Sequence, residues 1–280
     1  MDTQIIDGKK IAANMRAQLK EVIQTLPKKP HLAVILVGDN PASVLYVNHK
    51  VKAAEEIGVF VEVHQLSPVM TNDALIEFIH DLNKDADVDG ILVQLPLPKQ
   101  LNSDLILQAI DPQKDIDGLH YVNLGKLFVG QPAILPCTPQ ACLALIKSVC
   151  PNLEGLNAVV IGRSNLVGRP LAQLLLDENC TVIQAHSKTK NLAQITAQAD
   201  ILVSATGRAH LIRREYVKEG AVVIDVGISR LPDGKLAGDV DFQNVLGKAG
   251  FITPVPGGVG PMTIAMIFQN IIQIVRKKTC

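Results

Sequence analysis

The sequence predicts an α/β protein of two domains, each a parallel sheet with helices around it. Three observations lead there. The chain has 280 residues, room for two domains at ~150 residues each. Short apolar runs alternate with segments of helical periodicity, the pattern of strand–helix–strand crossovers. Hydrophobic residues make up 48% and aromatics only 3%, so the core is aliphatic, as suits helices packed on a parallel sheet.

The elements follow in order. Ile11, Met15, Leu19, Val22 and Leu26 recur at spacings of four and three and predict an amphipathic helix. Residues 31–38 (HLAVILVG) form a nearly unbroken apolar run, as in a strand buried on both faces. Residues 43–57 carry a stripe of Val44, Val47, Val51 and Ala54, with Gly58 as the cap beyond the helix. Residues 59–66 alternate like a strand, 75–82 read as a helix, and 90–95 (GILVQL) as another buried strand. In the second half 158–162, 181–186, 201–205 and 221–226 are strand candidates. Residues 254–261 (PVPGGVGP) are too rich in Pro and Gly for any regular element, and 263–278 read as an amphipathic helix. The expected division is 1–139 as the first domain, completed by a returning helix at 262–280, and 140–261 as the second.

Composition narrows the function. Lys plus Arg and Asp plus Glu are 27 each, which argues against a nucleic-acid or acidic-membrane partner, since both need a basic surplus. The five cysteines (Cys137, Cys142, Cys150, Cys180 and Cys280) are odd in number and form no C-x-x-C pair, so reduced thiols in a cytoplasmic protein are expected. The first 20 residues lack a signal-peptide apolar block, and no apolar run approaches a membrane span. No metal-spaced cluster of His or Cys occurs, so no metal is expected.

The strand at 158–161 runs into Gly162-Arg163-Ser164-Asn165-Leu166-Val167-Gly168. A Gly between a buried strand and a helix lets the backbone turn tightly and approach a pyrophosphate at the helix N-terminus. Ser164 and Val167 replace the second and third glycines of G-x-G-x-x-G, and an ordinary strand-to-helix turn stays open as a reading. The next strand ends in His186-Ser187-Lys188-Thr189, with no acid to bind ribose hydroxyls. A missing carboxylate together with Arg163 suits a ribose 2′-phosphate, so NADP is favoured over NAD; Lys188 reads equally as a solvated lysine.

Tyr46 and Lys50 are four apart, hence one turn apart on one helix face. A partly desolvated Lys can serve in proton transfer; an exposed Lys beside a packing Tyr is the alternative. Gln94 stands at the carboxyl end of a buried strand, either as a ligand contact or as a structural amide. Asp115 and Asp117 lie in a turn at 111–118 (DPQKDIDG), where a carboxylate could accept two hydrogen bonds from an amino-pyrimidinone edge, or cap Lys114 or a helix.

Together these segments resemble the bifunctional methylenetetrahydrofolate dehydrogenase/methenyltetrahydrofolate cyclohydrolase family. The matching runs include Tyr46-Val47 with Lys50-Val51-Lys52, 90–98 (GILVQLPLP), 114–118 (KDIDG), Pro136-Cys137-Thr138-Pro139, 162–170 (GRSNLVGRP), 224–227 (IDVG), 238–241 (GDVD) and 253–263 (TPVPGGVGPMT), in the family's order. Ala141 departs from the Gly common at that position.

The resemblance implies that NADP⁺ takes hydride from the one-carbon bridge of 5,10-methylenetetrahydrofolate, after which water opens the methenyl cation to 10-formyltetrahydrofolate. It implies Lys50 as the catalytic lysine, Gln94 as the neighbour that orients it, Tyr46 as the residue packing on folate, and Asp117 as the reader of the pterin edge. Leu95 and Pro96 would also line the folate, with Pro256, Gly257 and Gly258 as a glycine-rich wall. The implied cofactor contacts are Gly162, Arg163, Ser164, Val167, Gly168, Ser187, Thr206, Gly207, Ile228 and Thr263. It implies tetrahydrofolate one-carbon derivatives as partners, and a homodimer made through the nucleotide domains.

Overall fold

The computed structural model describes residues 2–279; Cys280, counted above among the thiols, lies outside them. The chain runs β1 (Gln4–Ile5), α1 (Gly8–Gln24), β2 (His31–Val37), α2 (Pro41–Ile57), β3 (Phe60–Leu66), α3 (Asn72–Lys84), β4 (Gly90–Val93), α4 (Ser103–Gln108), α5 (Tyr121–Phe128) and α6 (Cys137–Val149). It continues through β5 (Asn157–Ile161), α7 (Gly168–Asp177), β6 (Thr181–Ala185), α8 (Leu192–Thr196), β7 (Ile201–Ser204), a 3₁₀ turn, β8 (Val222–Asp225), β9 (Ser229–Arg230), β10 (Leu236–Ala237), α9 (Phe242–Val245), β11 (Phe251–Ile252) and α10 (Val259–Thr279). It divides into two compact units.

One unit comprises Asn14–Leu135 and the chain from Ile267 onward. Its sheet has the order β3-β2-β4, all parallel. The run HLAVILV is apolar throughout because β2 is the middle strand: six of its seven residues are buried. β3 lies at an edge, which is why it alternates only loosely and leaves Phe60 and Val63 exposed. The core joins Ile35, Leu75, Ile79, Ile91 and Ile106.

The same unit closes on a buried acid. Asp89 is fully buried, accepts from Lys28 Nζ at 2.8 Å and Lys278 Nζ at 3.1 Å, and takes the His31 N–H at 3.1 Å. Burial pushes its carboxyl up, but the bonds from Lys28, His31 and Lys278 outweigh that and hold it below the ordinary carboxylate range. A carboxyl lowered in the folded state stabilises above its unfolded pKa and loses that contribution as pH falls through the folded value. Asp89→Asn should therefore lower the urea unfolding free energy by about 1.5–3 kcal/mol at pH 7, the range for hydrogen bonds to a charge. The gap between variant and parent should shrink in acid; an equal gap at pH 7 and pH 3 would refute the assignment.

The other unit comprises the residues up to Ala13 and Pro136–Met266. Its sheet has the order β1-β11-β8-β7-β5-β6, parallel throughout. All residues of the inner strands β7 and β8 are buried. Residues up to Ala13 group here, whereas the sequence assigned them to the first domain. The reason is non-local pairing: Ile6 N–H donates to Ile252 O at 2.8 Å, and Thr3 Oγ1 to Ala249 O at 2.7 Å, 246 residues away.

Helix α10 corrects two expectations. It begins at Val259, inside the Pro-Gly segment expected to be irregular. It is also long and apolar enough to cross a membrane by length and composition, contrary to the sequence reading, but two-thirds of that window is buried inside the protein. From Ile267 on it packs within its unit: Phe268 is fully buried, and Asn270 Nδ2 donates to Ile116 O and Leu135 O at 2.9 Å each.

Candidate active site

Helix α2 carries the first half of the site. Asn40 caps it by accepting from the Ala42 and Ser43 amides, and Pro41 opens it. Its buried face is Ser43, Val47, Lys50, Ala53, Ala54 and Ile57. Lys50 therefore lies on the core face itself, 5% exposed, which removes the reading of an ordinary solvated lysine. Lys50 Nζ donates to Gln94 Oε1 at 2.9 Å and sits 5.5 Å from the centre of the Tyr46 ring.

Gln94 follows β4 directly. Its amide N–H still reaches Ile35 O at 2.9 Å, continuing the strand ladder by one bond. Its side-chain Nε2 donates to Leu95 O at 2.6 Å, so Oε1 is the atom turned to Lys50. Leu95 and Pro96 come next, joined by a cis peptide bond.

The turn at 111–118 separates its two acids by burial. Asp115 is 1% exposed and accepts from the His120 N–H at 2.8 Å and Asn123 Nδ2 at 2.9 Å, so it fixes the entry to α5. Burial pushes its carboxyl up. Lys114 does its own capping: Nζ donates to the carbonyls of Leu82, Asn83 and Asp85 at the end of α3. Asp117 is only half-buried, and its charge acts on Tyr46, whose phenol is pushed up first by burial and then by Asp117. Lys50, Gln94, Tyr46 and Asp117 are thus brought together in one unit.

The other unit places its loops at the carboxyl ends of its strands, where open parallel sheets place ligands. A Cβ on Gly162 would lie 2.6 Å from Ala205 O, and one on Gly168 would overlap Gly162 O. Both positions need Gly because β5, β7 and the start of α7 approach this closely. Between them Arg163, Ser164 and Asn165 are exposed; Ser164 Oγ accepts from the Val167 N–H at 3.2 Å. β6 ends beside β5, with Ser187 exposed and no acid near it in sequence; Thr189 Oγ1 closes that turn on the His186 N–H. Thr206 and Gly207 follow β7, and exposed Ile228 follows β8. Thr263 Oγ1 lies 3.5 Å from Thr138 Oγ1. Pro256, Gly257 and Gly258 belong to this unit, not to the one holding Lys50. These loops fit a dinucleotide: close glycines at a helix opening, an exposed Arg beside them, and no ribose carboxylate.

Sequence reasoning gave no role to Asp225 and Asp239, both buried here. Burial pushes the Asp225 carboxyl up to about 7, with Asp239 adding to the shift. An acid closing an apolar strand (VVIDVG) was the available signal.

Residues 136–279 match the family model described as tetrahydrofolate dehydrogenase/cyclohydrolase, NAD(P)-binding domain, and residues 6–117 match the model of that family's catalytic domain. The chain belongs to the tetrahydrofolate dehydrogenase/cyclohydrolase family. It is 50% identical to a bifunctional protein FolD of Listeria innocua, over 98% of both chains. The crystal structure of the bifunctional FolD dehydrogenase/cyclohydrolase from Campylobacter jejuni is 48% identical and superposes with a TM-score of 0.96 over 99% of both chains. The Trypanosoma brucei enzyme of this family, solved with NADP cofactor and an inhibitor, is 35% identical with a TM-score of 0.93, covering 100% of this chain and 99% of that one. A shikimate dehydrogenase from Aquifex aeolicus, 13% identical with a TM-score of 0.52, shares the fold alone.

Proposed function

We infer that this chain oxidises 5,10-methylenetetrahydrofolate to the 5,10-methenyl cation with NADP⁺ and hydrolyses that cation to 10-formyltetrahydrofolate. The observation that carries the reading is the buried Lys50–Gln94 pair beside Tyr46 and Asp117, in a chain of this family.

Bound NADP⁺ supplies the hydride acceptor, held by Gly162, Ser164, Val167, Gly168, Thr206, Gly207, Ile228 and Thr263, with Arg163 and Ser187 on the 2′-phosphate. Asp117 accepts two hydrogen bonds from the amino-pyrimidinone edge of the pterin, and Tyr46 packs on the ring as a neutral phenol. Leu95 and Pro96, which follow Gln94, complete the folate contacts of this unit. In the hydrolytic step water attacks the cationic carbon. Lys50 takes a proton from that water and returns it to the leaving ring nitrogen as the carbon–nitrogen bond breaks, while the remaining hydroxyl proton leaves to solvent as the formyl carbonyl forms. Gln94, pinned through Nε2, keeps the amine aimed. The test is to supply methylenetetrahydrofolate with NADP⁺ and follow methenyl and formyl products by absorbance. Absence of a methenyl signal would overturn the reading.

Arg163→Ala should raise the KM for NADP⁺ roughly ten- to a hundredfold, the worth of one charge-assisted contact, and raise that for NAD⁺ far less. Equal effects on the two cofactors would remove the 2′-phosphate contact. The reading extends to a homodimer through the nucleotide unit, supported by the exposed Ile183 on edge strand β6 and Leu176 on the helix packed beside it. It also extends to a cytoplasmic location, where the formyl product would serve purine biosynthesis.

A further inference from the structure

Asp239 is fully buried, and both of its oxygens are occupied. Oδ2 accepts from Ser204 Oγ at 2.9 Å and the Thr206 N–H at 2.6 Å, and Oδ1 from the Arg208 N–H at 2.9 Å. Its own N–H donates to Asp225 Oδ1 at 2.9 Å. Asp225 in turn accepts from the Gly227 N–H at 3.0 Å and the Val240 N–H at 2.8 Å, while its own N–H donates to Thr253 Oγ1. Five backbone amides from three loops thus converge on two carboxylates.

The surrounding backbone is shaped to these acids. A Cβ on Gly227 would overlap Asp239 Oδ1, and one on Gly238 would overlap Asp225 Oδ2. The two glycines supply the space the carboxylates occupy. A buried carboxylate is costly to retain without full hydrogen bonding, and this pair gains that bonding only when 204–208, 225–227 and 238–240 hold one arrangement. The tips of the first two loops carry Thr206, Gly207 and Ile228.

We propose that Asp239 is a positioning residue for NADP: it sets the backbone of Thr206–Arg208 directly, and that of Gly227 and Ile228 through Asp225. It acts from beneath the loops, since its side chain has no exposed surface. The inference rests on the cofactor role proposed above for those loops.

The test is Asp239→Asn. The amide keeps the size but offers one accepting oxygen, so an N–H of Thr206 or of Arg208 loses its partner. The KM for NADP⁺ in methylenetetrahydrofolate oxidation should rise roughly tenfold or more, with kcat changed far less. Hydrolysis of pre-formed methenyltetrahydrofolate consumes no NADP⁺, so it reports the folded state independently and should stay within about twofold of the parent. An unchanged KM for NADP⁺ overturns the proposal. Parallel loss of both activities also overturns it, because Asp239 would then hold the fold rather than the loops. If the parent itself forms no methenyl product with NADP⁺, the underlying reading fails. If the parent forms it and the variant matches its KM, only the positioning role fails.

Discussion

Lys50→Met abolishes hydrolysis of methenyltetrahydrofolate above the spontaneous rate, while NADP⁺-dependent formation of the methenyl cation persists at a reduced level. The two steps ask different things of the lysine. Hydride transfer moves no proton to the protein, so an amine beside the bridge carbon assists it only by orienting or polarising folate. Hydrolysis needs a proton acceptor and then a donor at that carbon. A positioned acid–base group contributes about 10²–10⁴-fold, which is the expected loss. Met keeps the stem and its apolar bulk on the buried face of α2, but Gln94 Oε1 loses its donor from Lys50. An unpaired buried acceptor costs about 1–3 kcal/mol, so the unfolding midpoint of the variant must be read beside its activity. The assay feeds pre-formed methenyltetrahydrofolate and follows its absorbance. Decay at the parent rate in a folded Met variant would exclude Lys50 as the acid–base group.

Asp117→Ala weakens folate binding by roughly a hundredfold or more, given two charge-assisted hydrogen bonds of about 1.5–3 kcal/mol each, and leaves NADP⁺ binding nearly unchanged. Calorimetry with each ligand separately measures this. A second readout is internal. Asp117 is the lesser of the two causes that raise the Tyr46 phenol, after burial. Removing the carboxylate should lower the pH at which Tyr46 ionises without returning it to the ordinary value, a shift visible by ultraviolet titration. Intact folate affinity in the variant would make Asp117 structural, in the manner of Asp115.

Those two acids show where local pattern stops, since only the family resemblance of the KDIDG run singled out Asp117. Asp115 and Asp117 share one short turn, and no periodicity distinguishes them. The structure does so by burial: Asp115 is spent on His120 and Asn123, while Asp117 stays half-open beside Tyr46. Lys50 is a similar case. The stripe drawn through Val44, Val47, Val51 and Ala54 left the exposure of Lys50 open; the packed face keeps Val47 and Ala54 but runs on through Lys50, Ala53 and Ile57 rather than Val44 and Val51. A rotation of the helix by a fraction of a turn separates the two, and only the sheet beneath decides it.

The sequence by itself determined the class of the fold, the strands β2–β8, the helix that puts Tyr46 and Lys50 one turn apart, and the lack of an acid after β6. These are local properties: an apolar run, a spacing of four, a glycine between strand and helix each constrain the backbone within a few residues. Tertiary structure alone decided that the N-terminal residues pair with β11. It likewise decided that Lys50 meets Gln94, 44 residues away, and that Asp225 and Asp239 share one nest of amides. The reason is the same in each case. A two-residue strand or a single buried charge has almost no local signature, and what stabilises it is a hydrogen bond that exists only after distant parts of the chain have packed together.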